Sequence, residues 1–233
     1  MTPPFAMRQG GLCSGMGLTI DSLTLSRGGR TVIDGLTVAL AEGGALVLRG
    51  ANGAGKSTLL RAIAGLGRID RGTVALRLDG EPADLAEHIA YAGHLDAVKP
   101  QLTLAENLTF WSQLTGGAPG AVDAALQEMG LDRIADQPAS TCSAGQRRRL
   151  GLARLLLAPR ALWLLDEPTV SLDAASTAAL ARHIAAQSAR GGMVLVATHI
   201  DLALPQAQFL DLQPPTSLPG DHAEDPFLSS AFG

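Results

Sequence analysis

Residues 50–58 read GANGAGKST, between a short apolar run (Ala45, Leu46, Val47, Leu48) and apolar residues at helical spacing (Leu59, Leu60, Ala62, Ile63). A hydrophobic strand, a glycine-rich turn and a helix in that order are the context that the pattern G-x-x-x-x-G-K-[ST] requires, and they restrict the chain to an α/β sheet with its loops at one edge. Gly50, Gly53 and Gly55 tolerate backbone angles closed to other residues. With Ala51, Asn52 and Ala54 between them, successive N–H groups turn inward and form a nest for an anion. The helix expected from Lys56 adds unpaired N–H groups and the positive end of its dipole. Lys56 is expected to reach the β- and γ-phosphates, and the hydroxyl of Ser57, followed by Thr58, to ligate Mg2+, a hard cation that prefers oxygen. Lys56 and Lys99 are the only lysines in the chain. A compact ammonium is not replaceable by a guanidinium in so narrow a cradle. The stretch predicts a nucleoside triphosphate site.

Composition narrows the partners. A net charge of −4 provides no basic footprint, so nucleic acid is not expected as a ligand. Hydrophobic residues make up 46% of the 233, yet no apolar run reaches the roughly 18 to 20 residues of a membrane helix. The richest segment, 150–165, is interrupted by Arg154, Pro159 and Arg160. No secretory signal is visible, and the separated Cys13 and Cys142 form no metal pattern, which predicts a reducing compartment.

Residues 1–17 have no periodicity and are expected to be a tail, with Met7 and Met16 as alternative starts. Strands are expected at 18–25 and 38–40 before the phosphate loop, and at 73–78 and 89–92 after it, with His94 just beyond the last. Ligands gather past the carboxyl ends of such strands, so His94 is expected to face the nucleotide. Helices are expected from Thr103, whose spacing to Glu106 is that of a capping box, then at 121–129 and 143–157. Phe110 and Trp111 are expected in the core of this helical insertion. A strand at 161–165, a helix at 174–189, and strands at 193–198 and 209–212 complete the pattern, and 213–233 is expected to be a second tail.

The apolar run 161–165 ends in Asp166 and Glu167, a second and independent nucleotide signal. Asp166 is expected to hold Mg2+ through water, and Glu167 to orient or deprotonate the attacking water. His199, at the end of the next strand, is placed to stabilise charge developing on the γ-phosphate.

Five motifs then fall in register: GANGAGKST, CSAGQ at 142–146, LWLLDEP at 162–168, SLD at 171–173 and His199. In that order they resemble the ATP-binding cassette ATPases, over about residues 18–212. The resemblance implies a P-loop NTPase (RecA-like) core at 18–93 and 161–212 with an antiparallel β edge, and a helical subdomain at 94–160. It implies a homodimer in which Ser143, Ala144, Gly145 and Gln146 of one copy close over the nucleotide of the other, with Asp173 near the seam. It implies ATP and Mg2+ as ligands and hydrolysis coupled to a membrane translocase.

In the signature-like segment Cys142 stands where leucine is usual and Ala144 where glycine is usual, and two further positions depart from the family. His94 stands where glutamine is usual, leaving its part in holding Mg2+ and positioning water open, and Arg27 stands where an aromatic residue stacks on adenine, a role a guanidinium plane can fill. The run YAGHLDAVKPQLTLAENLTFW at 91–111, together with CSAGQRRRLGLARL and LWLLDEPTVSLD, resembles the ATP-binding subunits of cytochrome c maturation systems. That similarity implies a peripheral protein on the cytoplasmic side of the bacterial inner membrane, bound to integral membrane subunits. Such a protein energises haem export or release of a haem-loaded chaperone. No direct haem binding is expected, because the chain lacks Cys-x-x-Cys-His and His88, His183 and His222 have ordinary surface or helix settings. The alternatives are the energising subunit of another transporter and, against the acidic charge, a regulator or translation factor.

Overall fold

The structure, a computed structural model, describes residues 17–204 and 206–213. The tails expected at 1–17 and 213–233 therefore lie almost wholly outside the described residues, together with Cys13 and His222. Gly17, assigned to the first tail, is instead the opening residue of a strand.

The centre of the fold is a five-stranded parallel sheet. Its strands are β3 (Ala45–Arg49), β6 (Ile89–Ala92), β7 (Leu162–Asp166), β8 (Met193–Ala197) and β9 (Gln208–Asp211), in the order β6-β7-β8-β3-β9. Every residue of β7 and β8 is buried. Strands covered on both faces have to read as unbroken apolar runs, and LWLLD and MVLVA do. Because side chains alternate along a strand, Leu162 and Leu164 join one core while Trp163 and Leu165 join the other.

On the Leu162 face lie helix α1 (Lys56–Ile63) and a four-stranded antiparallel sheet, order β2-β1-β4-β5. It comprises β1 (Gly17–Arg27), β2 (Arg30–Ala41), β4 (Arg71–Leu78) and β5 (Glu81–Ala83). On the Trp163 face lie α3 (Leu104–Thr115), α4 (Ala121–Glu128), α5 (Ala144–Ala153) and α6 (Ala174–Ala189), of which α3, α4 and α5 are inserted between β6 and β7. A four-residue helix, α2 (Leu85–His88), leads into β6. This is the expected α/β arrangement with an antiparallel edge.

The capping box at α3 forms as expected, with Glu106 N donating to Thr103 Oγ1 at 3.1 Å and Thr103 N donating to Glu106 Oε2 at 2.8 Å. Helix α6 has the expected limits. Four expectations need correction. The strand expected at 38–40 is the end of the twelve-residue β2, whose outer half carries Thr31, Asp34 and Gly35 and so lacks apolar alternation. The elements β5 and α2, three and four residues long, are too short to show a period. The helix expected to run to 157 ends at Ala153 and tightens into a 3-10 turn, Arg154–Leu156, a common way for a helix to finish shortly before a proline. Phe110 is not core: it is exposed, with Lys99 Nζ 4.1 Å from its ring centroid, while the half-buried Trp111 carries the Arg154 guanidinium at 4.5 Å. Successive helical residues point about 100° apart, and the inward stripe of α3 is set by Leu104 and Leu108, four residues apart.

Replacing Leu164, fully buried at the centre of β7, by Ala is expected to cost about 2–5 kcal/mol in urea unfolding. Phe110→Ala is expected to cost no more than about 1 kcal/mol, the worth of an exposed cation–π contact.

Candidate functional site

Parallel pairing carries the carboxyl ends of β3, β7 and β8 to one edge of the sheet, and the residues just past those ends meet there. Beyond β3 the chain turns sharply. Gly50, Gly53 and Gly55 have φ of 133°, 85° and 97°. At Gly50 a Cβ would stand 2.3 Å from the Leu212 carbonyl oxygen, so only glycine lets the loop lie on the segment after β9. Gly55 is the N-cap of α1, with no side chain over the first N–H groups of the helix.

Lys56 is 7% exposed, and a buried ammonium needs partners. Its Nζ donates to the carbonyls of Gly50 (2.7 Å) and Ala51 (3.1 Å) and lies 3.4 Å from His199 Nε2. Ser57 Oγ donates to Asp166 Oδ1 at 2.8 Å, tying the phosphate loop to the end of β7 across 109 positions of sequence. Asp166 is 3% exposed. Two hard oxygen donors held together beside the loop suit a magnesium ion.

Glu167 follows with φ 48°, in the left-handed region that few non-glycine residues adopt. Its N–H donates to the Ala197 carbonyl at 2.8 Å, which fixes it to the end of β8. His199 Nε2 lies 3.3 Å from Glu167 Oε1 and 3.2 Å from Asn52 Oδ1. Protonated at Nε2, the ring donates to the carboxylate or the amide oxygen; unprotonated there, it accepts from Lys56. A proton at that nitrogen therefore decides whether the histidine leans on the acid or on the ammonium. The Asn52 contact is not foreseeable, because residue types alone do not say which side chain of a glycine-rich loop points towards a strand five strands later.

Asn52, Lys56, Ser57, Asp166, Glu167 and His199 are thus brought together. Ala51 joins through its carbonyl, the side chain of Ala54 is buried beneath the loop, and Thr58 continues α1.

Ser143, Ala144, Gly145 and Gln146 form a separate group at the start of α5. Gln146 N donates to Ser143 Oγ at 3.2 Å and Ser143 N to Gln146 Oε1 at 2.7 Å, a capping box in which the side chain of Gln146 serves the helix start. A Cβ on Gly145 would stand 2.8 Å from the Ser171 carbonyl oxygen, so α5 packs directly on the turn before α6. Asp173 caps α6 by accepting from Ser176 N at 2.7 Å, and the Ser176 N–H and hydroxyl hold its carboxyl below the usual carboxylate range. His94 and Arg27 are exposed, and neither shares a hydrogen bond with the cluster among the described residues. Arg27 pairs with Arg30 across the glycine turn joining β1 and β2. The half-buried phenol of Tyr91, in β6 beside β7, is pushed up by burial and then by the charge of Asp166. A cleft of about 490 Å³ opens beside Trp163, Arg160 and Gly192 at the opposite ends of the strands and shares no residue with the phosphate loop.

Comparison with known proteins places this geometry. Residues 33–170 match the family described as ABC transporter. A cytochrome c biogenesis ATP-binding export protein CcmA of Paracoccus denitrificans is 50% identical over 197 residues, covering 84% of this chain and 89% of the relative. The protein of the same name from Cereibacter sphaeroides is 47% identical over 215 residues, covering 91% and 98%. A solved structure described as the ATP-binding subunit of an ABC transporter superposes with a TM-score of 0.73 at 27% identity, over 84% of this chain and 85% of that one. With this geometry in place, the comparisons give the family: this chain belongs to the ATP-binding cassette transporter family as an ATPase subunit, among relatives of the CcmA proteins of cytochrome c biogenesis.

Proposed function

We propose that this ATPase energises a membrane complex that handles haem during cytochrome c biogenesis, through export of haem or release of a haem-loaded chaperone. The observation that carries the ATPase chemistry is the Ser57–Asp166 hydrogen bond with Glu167 and His199 beside it. The haem assignment is supported by the names of relatives at 47–50% identity over most of the chain.

In this reading the triphosphate lies along residues 50–58. The Lys56 ammonium leaves the Gly50 and Ala51 carbonyls for β- and γ-phosphate oxygens, exchanging neutral acceptors for charged ones at little change in its own position. Ser57 and Asp166 would hold Mg2+, and the ion would supply positive charge against the phosphates. Glu167 accepts the proton of the attacking water, a contribution of about 10² to 10⁴ in rate. His199, between Glu167 and the loop, donates towards charge gathering on the γ-phosphate. Arg27 would stack on the adenine, and His94 would hydrogen-bond water near the γ-phosphate.

Residues 18–93 and 161–212 act as the nucleotide core, and 94–160 as the arm that presents Ser143, Ala144, Gly145 and Gln146. The capped start of α5 offers N–H groups and a positive dipole end to the γ-phosphate of a second copy, and Asp173 lies at the seam of that homodimer. No described helix is long and apolar enough to cross a membrane. The names of the relatives, ATP-binding export proteins, support a peripheral placement on the cytoplasmic side of the inner membrane, acting through integral membrane subunits.

Glu167→Gln is expected to keep nucleotide binding, to accumulate closed dimers on size-exclusion chromatography, and to lower turnover about 10²-fold or more; turnover at the wild-type rate removes Glu167 as base. In a mixed dimer, Ser143→Arg in one copy is expected to lower hydrolysis at the other copy's phosphate loop, and unchanged activity there argues against sharing in trans. Mild detergent extraction is expected to retain membrane subunits of cytochrome c maturation; recovery of an importer's subunits instead assigns the chain to another transporter.

A further inference from the structure

The triplet Arg147, Arg148, Arg149 follows the start of α5, and its middle member has no part in the chemistry described so far. Arg148 is 4% exposed. A guanidinium carries five N–H donors, and each finds a separate acceptor. Nε donates to the Pro168 carbonyl at 3.1 Å. Nη2 donates to the carbonyls of Asp166 (3.2 Å) and Glu167 (2.8 Å), and Nη1 to the Gly93 carbonyl (2.9 Å) and to Asp96 Oδ1 (2.8 Å). Three bonds therefore hold the backbone of the turn bearing Glu167, and two hold the segment that follows β6. The clamp sits on α5, the helix that begins at Ser143.

The three bonds to the turn have a specific task. Glu167 keeps φ at 48°, a strained conformation for a residue with a Cβ that persists only where the surroundings over-determine it. The Ala197 carbonyl fixes its N–H and Arg148 fixes its carbonyl, so the peptide on each side is held. Asp96 neutralises the buried guanidinium at 2.8 Å and is itself partly exposed. Gly151, one helical turn beyond Arg148, lets the Asp96 segment approach: a Cβ there would stand 3.0 Å from both Asp96 Cβ and the Asp96 carbonyl oxygen.

We propose that Arg148, held by Asp96, is a positioning residue that sets the backbone of Glu167 and so aims its carboxylate, tying the rate of hydrolysis to the placement of α5 and of the segment 93–96. The proposal rests on Glu167 acting as base. It predicts an effect on turnover rather than on nucleotide affinity, because no atom of Arg148 bonds to the phosphate loop among the described residues.

The test is a double-mutant cycle on the full-length chain, measuring kcat and KM for MgATP at steady state and single-turnover hydrolysis in slow variants. Arg148→Lys, with three donors for five acceptors, is expected to lower kcat about 10-fold or more, as displacements near 1 Å can do, with KM within about twofold. Asp96→Asn keeps a hydrogen-bonding oxygen but removes the charge, and is expected to lower kcat severalfold in the same pattern; it serves if Arg148→Lys does not fold. In the Glu167→Gln background both changes are expected to be silent within about twofold, since residues acting as one unit are not additive. Wild-type kcat in Asp96→Asn and in any folded Arg148→Lys, with Glu167→Gln inactive, overturns this proposal alone. An equal loss with and without Glu167 reduces Arg148 to scaffold and overturns it as well. Wild-type turnover in Glu167→Gln overturns the base assignment, and the proposal falls with it.

Discussion

Everything at the site depends on strands that are buried on both faces and run the same way. Parallel strands must be fed by crossovers, so their carboxyl ends share one edge while the connecting helices cover the faces. With β8 between β3 and β7, Ala197 lies beside Asp166, and the Glu167 N–H reaches the carbonyl at the end of β8. Ser57, one residue into α1, then meets Asp166 without either side chain being stretched. Sheet order converts residues more than a hundred positions apart into neighbours within hydrogen-bond reach.

Charge is handled at that edge by pairing rather than by exposure. Lys56, Asp166 and Arg148 are all buried, and each has hydrogen-bond partners: the ammonium in loop carbonyls, the carboxylate in a hydroxyl, the guanidinium in five oxygens. Removing one partner of such a set leaves a desolvated charge, which costs more than the pair contributes. At the exposed rim of this region the His199 ring nitrogen faces both the acid of Glu167 and the amide of Asn52.

Much of this was legible in the sequence because the informative features are local. A strand, a glycine turn and a helix N-terminus occur within about twenty residues, as do the apolar run and the two acids that end it. Helix limits were readable where a capping residue marks them, as at Thr103 and Asp173. Adjacency was the part that could not be read. Nothing in the triplet of arginines says that its middle member points inward, and nothing in Phe110-Trp111 says which aromatic faces out; both depend on a helix rotation set by distant packing. Asn52 and His199 meet only because β3 and β8 are neighbours. The antiparallel edge was under-read for a different reason, since β2 alternates poorly and β5 is three residues long.

The close approach of Gly50 to the Leu212 carbonyl has a temporal corollary. The loop that opens the nucleotide site rests on backbone from the far end of the domain, and Leu212 N donates back to the Arg49 carbonyl at 2.9 Å. During synthesis the glycine turn leaves the ribosome more than 150 residues before its floor. The glycine turn therefore reaches its final packing only after β9 has docked, late in the life of the nascent chain.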